Sequence, residues 1–154
     1  MRAARILVSL SVLTIIGSGA EPDPFFGKWK LNWDKSQSAQ PRPKSAIRSY
    51  HPAAGSGVRV RESWVNADGK KNLLDYIARY DGQDYPVPTR TGATVAFRRA
   101  DLYTVEGVSK TLGKIEYTFK RFISKDGKTL TVALTRVDPS GAPATEMLVY
   151  DKVR

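Results

Sequence analysis

The sequence contains no cysteine, which excludes disulfides, thiolate metal ligands and lipid attachment through a cysteine. His51 is the only histidine, so a Ser-His-Asp arrangement has one possible base, and metal sites built from cysteine and histidine are excluded. No Asp-x-Asp-x-Asp-Gly calcium loop occurs, and the aspartates concentrate in turns, where they form the turn itself. The sequence therefore predicts a protein without a metal site, a cofactor or a catalytic site.

Long apolar runs are also lacking. The longest, residues 6–16, is too short to span a bilayer, and nothing after residue 20 approaches about 18 consecutive apolar residues. This run follows a basic segment, residues 1–5, and precedes Ser18 and Ala20, the small residues of a cleavage site. The order predicts a secretory signal peptide over residues 1–20 and one mature domain over residues 21–154. We expect a secreted or periplasmic protein with no transmembrane segment.

The chain is strongly basic, with a formal net charge of +10. Without the leader, 23 basic residues face 15 acidic ones, a net charge of +8. This charge favours an anionic partner such as an acidic envelope polymer, although a spread of basic residues along the chain also serves solubility. Nucleic acid is not predicted, because Arg59 and Arg61 face away from Trp64 on an alternating strand of an exported protein.

Alternation of apolar and polar residues with a period of two runs through the mature chain, and no helical period occurs. Over residues 25–33, large apolar side chains at 25, 29, 31 and 33 alternate with polar ones at 28, 30 and 32. Residues 34–44 read as a surface loop, and residues 85–88, with two prolines, as an extended loop outside any sheet. Further strands are predicted over residues 45–51, 58–66, 74–80, 94–99, 102–108, 113–123, 129–137 and 145–153.

One apolar face on each strand and short hairpin connections predict an all-β fold, a closed antiparallel up-and-down β-barrel of about 8–10 strands. Closure buries the apolar face and removes the sheet edges. The alternative is a Greek-key sandwich, which needs a long crossing connection that only residues 34–44 or 81–92 could supply.

Both ends of the mature chain resemble a known family. Residues 26–31, Phe-Gly-Lys-Trp-Lys-Leu, resemble the Gly-x-Trp first strand of lipocalins and fatty-acid-binding proteins, and residues 148–153 resemble their last strand. With residues 80–87 and 126–130, the chain is also similar to small secreted bacterial proteins of lipocalin-like type. The resemblance implies that the first and last strands pair. It also implies that Trp29 is a structural anchor, with Gly27 before it and Lys152 or Arg154 over its ring.

The family resemblance also implies a place for a ligand. Fatty-acid-binding proteins hold a carboxylate with an Arg-x-Tyr on the last strand, whereas this chain has Leu148-Val149-Tyr150 and keeps only the tyrosine. Arg121 and Arg136 continue the apolar faces of their strands, where each either places a cation near the cavity or reaches solvent. Glu62 falls on the apolar face between Val60 and Trp64. Buried, it would need a cation partner; near a rim it would be solvated.

A barrel of this size either fills its interior with side chains or keeps one cavity for a small ligand. The apolar faces of the strands fit ordinary core packing as well as they fit the lining of a cavity, so both interpretations stay open. The candidate lining residues are Val60, Trp64, Leu74, Tyr76, Phe97, Tyr103, Tyr117 and Phe119, with Arg136 and Tyr150 as polar members.

Three functions are compatible with these observations. The first is an exported, non-enzymatic binding protein for a small apolar or amphipathic molecule inside the barrel. The second is a basic cell-envelope module that binds an acidic polymer or protein through its exterior. The third is a cofactor-free enzyme, such as an isomerase or cyclase, in the same cavity.

Overall fold

The computed structural model describes residues 22–137 and 140–154, so the predicted signal peptide lies outside the described residues. The described part is almost entirely β-structure, and none of its helices is long and apolar enough to cross a membrane. Its ten strands are β1 Gly27–Leu31, β2 Ser45–Ala53, β3 Gly57–Val65, β4 Lys71–Ala78, β5 Tyr85–Pro86, β6 Ala93–Asp101, β7 Thr104–Thr111, β8 Lys114–Ile123, β9 Thr129–Val137 and β10 Pro143–Lys152.

The strands form one antiparallel sheet in which sequence neighbours pair, apart from β4 and β5, and β1 also pairs with β10. Trp29 lies opposite Lys152 and Leu31 opposite Tyr150, which joins the two ends of the chain. The sheet order is β4-β3-β2-β1-β10-β9-β8-β7-β6-β5. The prediction of an up-and-down barrel with paired first and last strands is therefore confirmed, and no strand of the described sheet makes a Greek-key crossing.

The barrel is nearly closed, with β4 and β5 as the two ends of the sheet. Residues 85–88 were expected outside the sheet, but Tyr85 and Pro86 pair with β6. Proline fits there because an edge strand has one side without ladder hydrogen bonds. Across the gap, the Asp75 backbone N–H donates to Thr89 Oγ1 at 3.1 Å, and no β-ladder joins the described residues of β4 and β5.

Several strand boundaries differ from the predicted ones. β1 ends at Leu31, because the Asn32 side chain accepts a hydrogen bond from the Lys35 N–H and begins a short 3₁₀-helix, Trp33–Lys35. β2 continues through Pro52 to Ala53. Tyr103, predicted on a strand, lies in the turn between β6 and β7.

One face assignment is also wrong. Ile115 was expected to share a face with Tyr117 and Phe119, but β8 carries a bulge: Tyr117 lies opposite Ser109, and Ile115 opposite Lys110. The bulge inserts Glu116 as an extra residue and reverses the alternation beyond it. Ile115 consequently points outward and is 65% exposed.

Because the strands alternate in direction, the turns that follow odd-numbered strands lie at one end of the barrel, here called the mouth. The other end, here called the closed end, is filled by the segment before β1. Trp29 is fully buried there, and its indole N–H donates to the Phe25 carbonyl at 2.9 Å. Lys152 Nζ lies 5.0 Å from the Trp29 ring centroid, so Lys152, and not Arg154, is the cation beside this ring. Gly27 has a φ of +126°, and a Cβ there would lie 3.3 Å from Lys152 Cε.

Candidate ligand-binding cavity

The mouth half of the barrel encloses a cavity of about 620 Å³. This volume falls within the range of sites that hold small organic molecules. Strands from around the barrel contribute to its walls, which are mainly apolar. The apolar lining residues are Leu31, Trp33, Ala46, Trp64, Leu74, Val87, Val95, Val132, Leu134 and Leu148.

The loop between β1 and β2 covers one side of the mouth. Gln37 pairs with Met147 through two backbone hydrogen bonds of 2.7 and 2.8 Å, and Ser38 Oγ donates to Glu146 Oε2 at 2.9 Å. Pro41 and Pro43, further along this loop, line the cavity. The segment predicted as a plain surface loop is therefore part of the cavity wall.

The floor of the cavity carries a buried ion pair between β2 and β3. The Arg48 guanidinium donates through Nη2 to Glu62 Oε2, and Tyr150 on β10 donates its hydroxyl to Glu62 Oε1 at 2.7 Å. Burial, followed by the neighbouring Glu62 charge, raises the pKa of Tyr150 well above its usual value. The phenol therefore stays protonated and acts as a hydrogen-bond donor to the carboxylate.

Arg121 on β8 is a second cation at the floor, and only 5% of the residue is exposed. Its Nη2 donates to the Tyr76 hydroxyl at 2.9 Å, and its guanidinium lies 4.0 Å from the Phe119 ring centroid. Burial raises the pKa of Tyr76, so this phenol is neutral and supplies no negative charge. No carboxylate of the described residues lies within 4.0 Å of Arg121.

Several polar atoms at the floor lack hydrogen-bond partners among the described residues. They are Nε and Nη1 of Arg48 and Nε of Arg121. Buried groups of this kind are nearly always satisfied in native proteins, so a cluster of exceptions calls for an explanation. With two guanidinium groups and one carboxylate, the floor has one positive charge in excess. It offers the excess positive charge that an anionic ligand requires.

Each arginine at the rim lies beside a carboxylate. Arg90 Nη2 donates to both oxygens of Glu116 at 3.0 and 2.8 Å. Arg136 Nε lies 4.0 Å from Glu146 Oε1, and its guanidinium lies 5.0 Å from the Tyr117 ring centroid. The excess positive charge of the cavity therefore belongs to the floor, since the one rim charge without an ion-pair partner among the described residues is the carboxylate of Asp68.

A second depression, of about 450 Å³, lies on the outside of the sheet. Small residues at Ala96, Gly107 and Ala133 leave it open, and its two cations share one carboxylate. The Glu106 carboxylate pairs with both: Lys120 Nζ lies 3.3 Å from its Oε1, and Arg98 Nη2 lies 3.8 Å from its Oε2. The internal cavity is the stronger candidate because its cation is buried and unpaired.

Six of the predicted lining residues border the internal cavity: Trp64, Leu74, Tyr76, Tyr117, Arg136 and Tyr150. The structure does not bring the other four to it. Val60, Phe97 and Phe119 are buried in the core, and Tyr103 lies at the closed end. Phe97 and Phe119 still contribute indirectly, since their rings pack against the Arg121 guanidinium.

The floor is the part that sequence reasoning identified least well. Arg121 was expected either to place a cation near the cavity or to reach solvent, and the structure shows it buried at the cavity. Glu62 takes the buried reading and has the cation partner that this required. Arg48 was not considered at all. A hairpin centred on Gly55 would have revealed it, because Arg48 and Glu62 each lie seven residues from that glycine and are directly opposed.

The strand order, the paired ends and the internal cavity define a nearly closed, ten-stranded antiparallel up-and-down barrel with a lipocalin-like fold. Among solved structures, the chain is similar to wild-type fluorescent protein UnaG, with a TM-score of 0.58 and 17% identity over 84% of this chain and 97% of that one. Two single-residue mutants of UnaG match with TM-scores of 0.59 and 0.56, at 17% and 15% identity, each over 85% of this chain and 97% of theirs. No family model and no curated protein matches the sequence. At this identity the likeness shows the fold.

Proposed function

We propose that this protein binds, inside its barrel, a small amphipathic molecule that carries one anionic group. The observation that carries the proposal is the buried Arg121, a cation at the cavity floor with an unpartnered Nε and no carboxylate beside it. A buried charge without a counter-ion is costly, and a bound anion would remove that cost. No catalytic step is assigned to the cavity.

The shape of the cavity supports one orientation of this ligand. An anionic head would lie against the Arg121 and Arg48 guanidinium groups, which line the cavity, while the apolar walls would hold the body of the molecule. The rim pairs Arg90–Glu116 and Arg136–Glu146 add no net charge. A ligand with one negative charge at its inner end and no charge at its outer end therefore matches the site best.

The origin of the cations distinguishes this site from the one that the family resemblance implied. Position 148 is a leucine, and the Tyr150 hydroxyl is already used by Glu62. In this chain the cations come from β2 and β8, as Arg48 and Arg121. We therefore expect anion binding without an arginine on the last strand.

We also propose that the protein acts in the periplasm or outside the cell, because of the leader predicted over residues 1–20. Binding of an acidic polymer by the exterior has less support. Some basic side chains of the outer surface, such as Arg59 and Lys110, are already paired with Asp75 and Asp84, at 2.7 and 2.8 Å. Exposed pairs of that kind would have to be broken before they could serve a polymer.

Calorimetric titration of ligand-stripped protein with decanoic acid and with 1-decanol tests the anion requirement. The two probes differ in charge at the head and share the same apolar chain. We expect the acid to bind at least about tenfold more tightly, a difference of about 1.4 kcal/mol. Arg121→Met should abolish this preference, whereas Arg98→Met, on the outer surface, should leave it unchanged.

Equal affinity for the acid and the alcohol would contradict the anionic head. Native mass spectrometry of freshly purified protein tests cavity binding itself, since a tightly held molecule should co-purify. If no molecule co-purifies and neither probe binds, cavity binding is wrong. Retention on an acidic polysaccharide that falls steeply with ionic strength would then favour the exterior as the functional surface.

A further inference from the structure

The hairpin between β7 and β8 has a turn whose sequence does not suit its backbone. Leu112 and Gly113 occupy the two turn positions with φ values of +51° and +77°. A turn with two positive φ angles favours Asn-Gly or Gly-Gly, because a β-carbon is strained in the left-handed region. The leucine is therefore not explained by the turn.

Burial does not explain it either. Leu112 is 81% exposed and Ile115 is 65% exposed, the two highest values among the large apolar residues that the structure describes. The bulge at Glu116 is what aims Ile115 outward. Two independent local features, a strained turn and a bulge, thus place adjacent aliphatic side chains in water at one tip.

This hairpin tip, residues 112–115, lies on the rim of the cavity. The Leu112 N–H donates to the Gly92 carbonyl at 2.9 Å, which ties the tip to the loop that carries Arg90. Glu116 and Tyr117, directly after the tip, line the cavity. A surface that receives the tip would therefore face the mouth of the barrel.

Charges at the mouth favour an anionic surface. Lys114 lies within the tip, and Lys44, Lys70 and Lys71 lie in or beside other mouth connections; none of the four forms an ion pair with a described residue. Among the described residues of these connections, Asp68 is an acidic residue that is likewise unpaired. The protein is basic on other sides too, so charge alone would not select an orientation. The apolar tip supplies that selection.

We propose that the mouth end docks on an anionic lipid surface, with Leu112 and Ile115 inserted below the headgroups and the mouth lysines against them. Two aliphatic side chains and a few lysines give reversible attachment, not permanent anchoring. Docking of this kind does not depend on the proposed cavity ligand. It would, however, bring the mouth to the phase in which amphipathic molecules reside.

Flotation with vesicles tests the proposal on the mature protein. We expect binding to vesicles of equal parts phosphatidylcholine and phosphatidylglycerol, and little binding to pure phosphatidylcholine. Leu112→Asn combined with Ile115→Thr should weaken binding at least about tenfold. Asparagine suits the turn better than leucine, so thermal melts should show that this double variant is as stable as the parent.

Leu102→Asn is the matched control. Leu102 is 49% exposed, but it lies in the β6–β7 turn at the closed end. This variant should bind vesicles as the parent does. Absence of parent binding, an equal loss in the control, or unchanged binding by the double variant would each overturn the proposal. The decanoic acid titration contains no vesicles, so failure of docking and failure of cavity binding are distinguishable.

Discussion

Replacing Arg121 by methionine and Tyr76 by phenylalanine should separate the stability of this barrel from its binding. The double change removes the buried cation at the floor together with the hydroxyl that accepts its hydrogen bond. When both partners are replaced by apolar groups of similar shape, no buried polar atom is left unsatisfied between them. We therefore expect the ligand-free protein to tolerate the change and the anionic ligand to lose its site.

The magnitude follows from the contacts of Arg121. Its removal loses a cation–π contact with Phe119 at 4.0 Å, worth about 0.5–2 kcal/mol, and the hydrogen bond of 2.9 Å to Tyr76. Against this, the burial cost of an unpaired charge disappears, and replacements of buried ionic groups by apolar ones range from neutral to about 1–4 kcal/mol stabilising. The double variant should fall in that range, while decanoic acid binding weakens at least about tenfold.

Urea unfolding followed by tryptophan fluorescence measures the change as a shift of the midpoint at constant slope. The single variant Arg121→Met is the control, because it leaves the Tyr76 hydroxyl buried without its partner. It should be about 1–3 kcal/mol less stable than the double variant. If the double variant instead loses more than about 2 kcal/mol, Arg121 is a structural group of the empty barrel, and the functional reading of its burial is refuted.

Three further predictions concern the anchor, the floor and the leader. Trp29→Ala should lower the free energy of unfolding, measured in denaturant melts, by about 3–5 kcal/mol. Lys152→Ala removes an exposed cation from the ring and should lower it by about 0.5–1 kcal/mol. Equal losses in the two variants would show that Trp29 is not the anchor. Glu62→Gln should cost about 3–5 kcal/mol by leaving Arg48 buried without its carboxylate, and a variant as stable as the parent would contradict the ion pair. The intact mass of the exported protein should lack residues 1–20, and a mass that includes them would contradict the predicted leader.

The strand pattern could be predicted because each strand buries one face, which leaves a period-two signal in the sequence. Departures from it arise where a local interaction overrides alternation. The Asn32 cap ends β1 before Trp33, and the Glu116 bulge reverses the face of Ile115. Neither event changes the apolar content of its segment, so neither is visible to a rule that uses periodicity alone.

The charged floor was hidden for a different reason. An arginine on an apolar face is usually a residue that reaches solvent, and that default is correct for most positions. Pairing Arg48 with Glu62 requires the register of one hairpin, which Gly55 supplies locally. Bringing Tyr150 to the same carboxylate requires closure of the barrel through β1 and β10, which no local pattern encodes.

Position along a strand, measured from the mouth, decides whether an inward residue belongs to the core or to the cavity. β3 runs toward the mouth, and its successive inward residues are Val60 in the core, Glu62 at the floor and Trp64 in the wall. β4 runs the other way, and its inward residues pass from Leu74 in the wall to Tyr76 at the floor. Alternation assigns all five to one face, but only strand direction orders them by depth. Since direction follows from hairpin connectivity, the same order could be read from sequence once the mouth is known, and it would have moved Val60 from the predicted lining into the core.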